Sequence, residues 1–299
     1  DNSFSKGEKQ LLAFARAIAK ETSIYVFDEP TSNVDVESEI QLKKVIDNFM
    51  PGPVTIILKK KSVVPNDVTA GLNTVAIRFP LHETAQKLIK AAGVPIAAPS
   101  ANLSGKPSPT KAKHVVKDMT GRIDAIIDGG ECNVGVESTI VDFTGEKPVI
   151  LRPGGVTYDD LKGIGLDVEI DKNILHSIAA DEVPKCPGMK YKHYAPNAEV
   201  TVVEGEKDAV QSKIKELLEQ TEGKVTGVLT MYGAVYDKAV MLSAGSTNKE
   251  YAKNLFAALR EFDELGVEVV FAEFSEKDGY GLAVKNRLYK AAAQRVIHV

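Results

Sequence analysis

The sequence predicts an α/β protein with about two domains, and three observations carry this prediction. The chain has 299 residues, more than one domain of average size holds. Its composition, 43% hydrophobic and 26% charged, is typical of a globular protein. Runs rich in β-branched residues, such as residues 54–58, alternate with stretches whose apolar residues repeat at helical spacing.

These two patterns place the elements of the N-terminal half. Runs of β-branched or alternating apolar residues predict strands, and apolar residues three and four apart predict helices. Gly93, which tolerates a left-handed backbone, is expected to end one helix. The predicted helices are 11–20, 36–48, 81–93 and 111–119, and the predicted strands are 24–27, 54–58, 73–79, 123–127, 134–142 and 149–152.

The C-terminal half begins with a polar stretch, residues 171–181, that has a helical pattern. Residues 184–196 combine Pro and Gly with aromatic and basic residues, so they form either a passive tether or a loop that closes over a ligand. Beyond Ala198, strands and helices alternate regularly, which predicts a small α/β domain with a mainly parallel sheet. Its predicted strands are 200–203, 224–231 and 267–274, and its predicted helices are 207–220, 247–265 and 281–293.

Charge, cysteine content and hydropathy exclude several classes of function. The net charge is −4, so general affinity for nucleic acid is not expected, and an RNA contact would need a local basic patch. The two cysteines, Cys132 and Cys186, cannot form a disulfide framework and lack metal-site spacing. No apolar run reaches the ~20 residues that cross a membrane. We therefore expect a protein of the cytoplasm that makes no membrane contact.

The stretch at residues 95–110 carries the most distinctive chemistry. A short apolar run gives way to a loop whose prolines exclude both a helix interior and a central strand. Hydroxyl and amide side chains follow at short intervals, and Gly105 permits close approach of the backbone to a ligand. Such a loop suits phosphate or carboxylate binding, but the same residues also form ordinary turns. Composition alone leaves both interpretations open.

Residues 1–48 resemble part of the ATPase domain of ABC transporters. The motifs that carry this resemblance are a signature loop at 5–10, Walker B at 24–29 and a D-loop at 32–35. The resemblance implies that Asp28 would hold Mg²⁺ through water and that Glu29 would orient the attacking water. Because the chain contains no phosphate loop of the form GxxxxGK followed by Ser or Thr, we expect a packing remnant without ATPase activity.

From about residue 49 onward, ordered motifs closely resemble the YrdC-like threonylcarbamoyl-AMP synthases of the two-domain type. The motifs are PGPVTIIL (51–58), TVAIRFP (74–80), PIAAPSANLSGKPSPT (95–110), DGG (128–130), VGVESTIVD (134–142), ILRPGG (150–155) and PGMKYKHYAP (187–196). The resemblance implies a YrdC-like twisted, open, mixed sheet with helices, plus a smaller Rossmann-like C-terminal α/β domain. It also implies an enzyme that converts L-threonine, bicarbonate and ATP to threonylcarbamoyl-AMP and pyrophosphate, for tRNA modification.

The two resemblances together divide the chain into four segments. They are an ABC ATPase-like fragment at 1–48, an N-terminally truncated YrdC-like catalytic domain at 49–170, a linker or lid at 171–197 and an accessory α/β domain at 198–299.

The synthase resemblance also implies site residues. Those expected to bind L-threonine are Arg78, the Ala98 backbone and Ser138. Those expected to bind ATP are Thr74, Ser100, Asn102, Ser108, Arg152, His193 and Tyr194. Mg²⁺ is expected with ATP, no catalytic acid or base is assigned, and the product would pass to a downstream tRNA-modifying transferase.

One part of the family pattern is missing from the N-terminal segment. The family carries a basic Lys/Arg cluster there that reaches the ATP phosphates, and nothing before residue 49 resembles it. Because those cations stabilise leaving pyrophosphate, activity is expected to be weak or lost. Two alternatives stay open: an ABC ATPase fragment, and a non-catalytic nucleotide- or RNA-binding module that would use Lys106, Arg78 and Arg152.

Overall fold

The computed structural model describes residues 36–175, 194–276 and 279–299, and the chain divides into two compact units. Among the described residues, the first unit comprises 36–97, 140–150 and 160–169, and the second comprises 98–139, 151–159, 170–175, 194–276 and 279–299. The predicted helix 11–20 and strand 24–27 lie outside the described residues. The predicted domain limits stay predictions.

Strands and helices are interspersed along the described residues. The helices are α1 (Val36–Phe49), α2 (Glu83–Ala92), α3 (Ala112–Met119), α4 (Tyr158–Gly163), α5 (Lys207–Glu219), α6 (Asn248–Glu264) and α7 (Gly281–Ala291), with a 3₁₀ turn at Asp67–Thr69. The strands are β1 (Val54–Lys59), β2 (Thr74–Ile77), β3 (Thr139–Asp142), β4 (Val149–Arg152), β5 (Glu169–Ile170), β6 (Glu199–Glu204), β7 (Thr226–Thr230), β8 (Val240–Ser243), β9 (Val269–Phe274) and β10 (Val296–His298). Among the described helices, none has the length and apolar character needed to span a bilayer.

The first unit is built mainly on a five-stranded sheet of order β2-β1-β3-β4-β5. β1 is its most apolar strand, because aliphatic and β-branched residues run through it and Val54, Ile56 and Ile57 are buried. β2 pairs with β1 in the antiparallel direction, with Ile57 opposite Ala76. Lys44 of α1 donates a hydrogen bond to the Gly165 carbonyl at 2.8 Å, which fixes α1 to the segment before β5.

The second unit contains a five-stranded sheet of order β10-β6-β9-β7-β8. Each neighbouring pair runs parallel, as the regular alternation of strands and helices predicted. β9 is central, and all of its residues are buried. Five of these six residues are apolar, as expected for a parallel strand that is covered on both faces, and the exception, Glu273, accepts hydrogen bonds from the Met231 and Tyr232 amides.

α6 supplies much of the core of this unit. Its N-terminus is fixed by a capping box, in which Thr247 Oγ1 accepts from the Glu250 amide and the Glu250 carboxylate accepts from the Thr247 amide. Its apolar residues recur three and four positions apart and have no solvent exposure: Tyr251, Leu255, Phe256, Leu259 and Phe262. Burial of this stripe against the sheet stabilises the helix more than intrinsic propensity does.

Several predicted elements differ from the structure. Residues 123–127, predicted as a strand, are exposed and irregular, and only Thr139–Asp142 of the predicted strand 134–142 is extended in a sheet. Residues 171–175 form turns instead of the predicted helix. A β-branched run becomes a strand only where another strand pairs with it, and local patterns do not report that partner. The short elements α4, β5, β8 and β10 were not predicted, because each offers too few residues for a periodic signal.

Gly135 marks the closest approach of the VGVEST segment to α6. Its φ is +81°, and a Cβ built on it would lie 2.3 Å from Lys253 Cα and 2.5 Å from the Ala252 carbonyl oxygen. Gly130 has a similar φ of +87° but meets nothing within 4 Å of a built Cβ. Backbone atoms of a helix cannot move aside as a flexible side chain does, so only glycine fits at position 135.

We expect Gly135→Ala to lower the free energy of unfolding by about 3 kcal/mol, because steric overlap with α6 adds to left-handed strain. Gly130→Ala, the matched control, should cost about 1 kcal/mol from strain alone. Urea unfolding at neutral pH measures both values. Equal losses for the two variants would show that α6 does not approach position 135.

Candidate functional site

The loop at residues 95–110 has no regular secondary structure. Its first half is exposed, including Ala98 and Ser100. Its second half turns at Gly105, whose φ is +84°, and closes with a hydrogen bond from the Lys106 amide to the Leu103 carbonyl. The Asn102 side-chain amide donates to the Leu103 carbonyl at 2.8 Å, so it supports the loop backbone from inside.

Arg260 of α6 anchors the second half of this loop. Its guanidinium donates to the Pro107 carbonyl at 3.0 and 2.6 Å and to the Asp118 carboxylate at 3.2 and 2.6 Å. Both side chains are less than a tenth exposed. The hydrogen bond from Arg260 lowers the pKa of Asp118 despite burial, which favours the neutralised pair. The Leu103 amide also donates to Asp118, at 3.3 Å.

The segment after residue 193 fixes the same loop from another side. The Ala195 amide donates to the Gly105 carbonyl at 3.0 Å, and Lys106 Nζ lies 2.5 Å from Asn197 Oδ1. Asp263 of α6 accepts from the Asn197 amide at 2.7 Å. From the sequence, this loop could be an ordinary turn or a ligand site. In the structure, residues of the C-terminal half hold its second half rigidly.

Glu137 is the centre of a second, connected cluster. Its Oε1 accepts from Ser108 Oγ at 2.9 Å, and its Oε2 accepts from Arg287 Nε and Nη2 at 3.0 and 2.9 Å. The Tyr194 hydroxyl also hydrogen-bonds to this carboxylate. Arg287, on α7, has no solvent exposure and donates further to the Pro153 carbonyl at 2.6 Å.

The charge state of Glu137 follows from these partners. Burial alone raises the pKa of a carboxyl group, but the positive charges of Arg287 and Arg152 outweigh burial and lower the pKa of Glu137 to about 2. A carboxylate with such a pKa is a poor general base near neutral pH. Glu137 is thus a structural anion that joins several segments.

Arg152 lies beside this cluster at the end of β4. Its Nε and Nη2 donate to the Ser138 carbonyl at 3.2 and 3.0 Å, and Nη2 is 3.2 Å from Ser138 Oγ. Its Nη1 makes no hydrogen bond in the part of the chain that the structure describes. A half-buried guanidinium that is fixed on one edge can still present its other edge to an anion.

Tyr194 closes one side of the Glu137 cluster. It is buried, its ring centroid is 5.1 Å from that of Phe256, and the Arg287 guanidinium lies 5.9 Å from the ring centroid. Burial and the negative charge of Glu137 raise the pKa of Tyr194 to about 12, so the phenol stays protonated and donates. Its φ of +66° is unusual for a side chain of this size, and it is held by these contacts.

The structure brings together part of the predicted site. One connected network in the second unit contains the predicted residues Ser108, Ser138, Arg152 and Tyr194. Thr74, half-buried at the start of β2, and Arg78, exposed just after β2, belong to the first unit. His193, Asp28 and Glu29 lie outside the described residues. The full threonine and ATP site stays a prediction.

Asp118 and Arg260, which anchor the loop, and Arg287, which pairs with Glu137, were not predicted from the sequence as contributors. One signal was available for Arg287, because it lies on the apolar face of α7, three residues after Val284 and beside Leu288. An arginine on a buried helical face needs an anionic partner. That partner is 150 residues away in the sequence, so local patterns could not identify it.

The described residues contain no group of three or more His, Cys, Asp or Glu side chains that could hold a metal ion. Glu137, the carboxylate at the centre of the network, has both oxygens engaged. Cys132 is an exposed, unbridged thiol.

We expect the ion pair of Glu137 with Arg287 to make the free energy of unfolding depend on pH. Because the pKa of Glu137 is lowered from 4.5 to about 2, its contribution is complete above pH ~4.5 and disappears as pH falls toward 2. Glu137→Gln should therefore cost on the order of 2 kcal/mol at pH 7, and the gap to the parent chain should narrow between pH 5 and 3. Urea unfolding of both proteins between pH 7 and pH 3 measures this difference in the free energy of unfolding.

The matched control is Glu146→Gln, a change at an exposed carboxylate, which should leave the free energy of unfolding within about 0.5 kcal/mol at every pH. A gap between the parent chain and Glu137→Gln that stays constant with pH would contradict the ion pair.

Two family profiles match consecutive parts of the chain. A profile of the Sua5 and YrdC group, described as "Telomere recombination", matches residues 16–154, and a profile described as "Threonylcarbamoyl-AMP synthase, C-terminal domain" matches residues 156–293. The first match begins at residue 16, inside the segment that resembles an ABC ATPase. The comparisons therefore do not support the ABC resemblance of residues 1–48.

Similar proteins and solved structures agree with these profiles. The threonylcarbamoyl-AMP synthase of Pyrococcus abyssi is 49% identical over 88% of this chain and 76% of its own, and that of Bacillus subtilis is 45% identical over 85% and 74%. The crystal structure of P. abyssi Sua5 with L-threonine has a TM-score of 0.82 at 48% identity, over 90% of this chain and 77% of that one. A P. abyssi Sua5 variant, with consecutive His and Tyr changed to Ala, also has a TM-score of 0.82. The YrdC-like α/β fold is thus confirmed, and the chain belongs to the threonylcarbamoyl-AMP synthase family.

Proposed function

We propose that this chain is a nucleotidyltransferase that converts L-threonine, bicarbonate and ATP to threonylcarbamoyl-AMP and pyrophosphate. The observation that carries the proposal is the network around Glu137, where side chains from four family motifs meet. Relatives named threonylcarbamoyl-AMP synthase, 41% to 49% identical to this chain, support it.

The proposed reaction has two steps. The threonine amine and bicarbonate combine to a carbamate with loss of water. A carbamate oxygen then attacks the α-phosphorus of ATP, the bond from that phosphorus to the bridging oxygen breaks, and pyrophosphate leaves. Negative charge grows on the leaving group, so the protein acts mainly by positioning the reactants and neutralising charge.

Arg152 is the residue that we propose for the ATP phosphates. Its edge toward Ser138 is fixed by three hydrogen-bond contacts, while Nη1 makes none among the described residues. A guanidinium pre-oriented in this way loses little conformational freedom when it binds an oxyanion. Thr74, Ser100, Asn102 and Ser108 are proposed as neutral donors to the same nucleotide.

L-threonine is proposed to bind through its carboxylate to Arg78. Arg78 is exposed and follows β2 directly, so its guanidinium can form the bidentate pair that carboxylates favour. The Ala98 backbone and the Ser138 hydroxyl are the proposed further contacts. The crystal structure of the P. abyssi relative with L-threonine supports this substrate class.

The titration behaviour of the site supports catalysis without a dedicated base. Glu137, with a pKa of about 2, stays ionised at neutral pH, and Tyr194, with a pKa of about 12, stays protonated. Neither group exchanges a proton in the physiological range. We therefore assign electrostatic and positioning roles to the network and no general base.

The linker before Ala195 is proposed as a lid over ATP. His193 and Tyr194 form the one His-Tyr pair of this sequence, and a relative was crystallised with a consecutive His-Tyr pair changed to alanine. Tyr194 hydrogen-bonds to Glu137, so we propose that it acts on ATP binding through that carboxylate as well as by contact.

ATP is proposed to carry Mg²⁺ on its own phosphates, because phosphate oxygens are the ligands that this ion prefers in nucleotide sites. The product is a mixed anhydride of a carbamic and a phosphoric acid, which is a strong acyl donor. We propose that a downstream tRNA-modifying transferase consumes it.

The reaction is tested by pyrophosphate release from ATP that requires both L-threonine and bicarbonate. We expect Arg152→Met to raise the KM for ATP by about 10- to 100-fold with little change for threonine, because one charge-assisted contact is lost. Arg78→Met should do the reverse, so each variant is the control of the other.

Two results would contradict these assignments. If Arg78→Met and Arg152→Met each changed the KM for ATP and the KM for L-threonine equally, the two arginines would not have separate roles. Retained ATP binding without product from the parent chain would favour the non-catalytic nucleotide-binding module.

A further inference from the structure

Arg287 is a buried cation that the C-terminal α/β part of the chain contributes to the predicted site. It lies on α7, has no solvent exposure, and donates to Glu137, to the Pro153 carbonyl and to Asn286 Oδ1. Burying a guanidinium without a paired anion is strongly unfavourable. The position of Arg287 and the position of Glu137 are therefore fixed together.

Glu137 lies within the influence of two guanidinium groups. Arg287 holds it by two hydrogen bonds from Nε and Nη2 that converge on Oε2, at 3.0 and 2.9 Å. Arg152, whose guanidinium donates to the neighbouring residue Ser138, also acts on the Glu137 charge. The single negative charge of Glu137 can compensate only one of the two arginines, so the positive charge of the other is left uncompensated by this carboxylate.

The geometry decides which arginine is left over. Arg287 takes the carboxylate, and the two form a neutral pair. Arg152 then keeps a guanidinium that is turned toward Ser138 on one edge only. Without Arg287, Glu137 would lack its main cation. We expect Glu137 then to form an ion pair with Arg152 instead.

We propose that Arg287 is a positioning residue that sequesters Glu137 and thereby keeps Arg152 available as the cation that binds the ATP phosphates. The proposal deepens the proposed function and rests on it. It also gives the C-terminal part of the chain a direct role in nucleotide affinity, because α7 supplies the residue that protects the charge of Arg152.

Arg287→Met is the first test, with the dissociation constant of ATP measured by titration calorimetry and the KM values measured by pyrophosphate release. ATP should bind about tenfold more weakly, because Arg152 becomes paired with Glu137. The KM for L-threonine should change less than threefold. Unchanged ATP affinity would overturn the proposal.

The double variant Arg287→Met with Glu137→Gln separates this role from a merely structural one. The introduced glutamine side chain can still accept hydrogen bonds from Ser108 and Tyr194 but carries no charge to pair with Arg152. ATP affinity should return to within about threefold of the parent chain. A double variant as weak as Arg287→Met, or weaker, would show that Arg287 acts by packing alone and would overturn the proposal.

Two further variants complete the design. Arg287→Lys keeps the charge but loses the fork, so ATP affinity should fall by less than in Arg287→Met; this variant also serves if Arg287→Met does not fold. An ATP affinity of Arg287→Lys as weak as that of Arg287→Met would count against the proposal, because the retained charge would then have no effect, and so would a loss in Arg287→Lys that adding Glu137→Gln does not reverse. Arg295→Met is the matched control, because Arg295 donates to the Val200 carbonyl and lies 3.5 Å from Glu199 without joining the network.

The parent chain distinguishes the two levels of failure. If it binds ATP but makes no threonylcarbamoyl-AMP, the proposed function fails, and the order of ATP affinities among the variants still decides the role of Arg287. If the parent chain makes product but the ATP affinities of the variants do not change with the charges at residues 137 and 287, only the positioning role of Arg287 fails.

Discussion

Two guanidinium groups with almost no solvent contact, those of Arg260 and Arg287, each need an anion and a carbonyl in fixed places. Arg260 takes Asp118 and the Pro107 carbonyl, and Arg287 takes Glu137 and the Pro153 carbonyl. Because an unpaired buried charge costs several kcal/mol, these four partners cannot move independently of α6 and α7. The irregular loops of the candidate site thus acquire the rigidity of the helices behind them.

This arrangement explains how polar loops without regular secondary structure can form a defined site. Loops usually carry function on a rigid scaffold, and here the scaffold is the parallel sheet with its covering helices. Ser108, Ser138 and Tyr194 all reach their places through Glu137 or its neighbours. Substrate binding then needs little further ordering, which favours affinity and correct orientation.

Sequence patterns predicted the regular elements well where one chain segment contains the whole signal. The stripe from Tyr251 to Phe262 and the apolar run of β9 are examples, and both elements appear within two residues of the predicted limits. Residues 123–127 failed because a strand depends on its neighbour. The family motifs predicted Arg152 and Ser108 as ATP-binding residues, and that role stays a prediction. The ion pair of Glu137 with Arg287 joins residues 150 positions apart and leaves no local trace in the sequence.

The long separation of these pairs has a consequence for synthesis of the chain. Glu137 is made 150 residues before Arg287, and Pro107 is made 153 residues before Arg260. A ribosome adds ~5–20 residues per second, so the loop and the VGVEST segment wait several seconds or more for the cations that fix them. During that interval Glu137 and the Pro107 carbonyl lack these arginine partners, so the site cannot assemble in the order in which it is translated. Its completion is a late event that follows formation of α6 and α7.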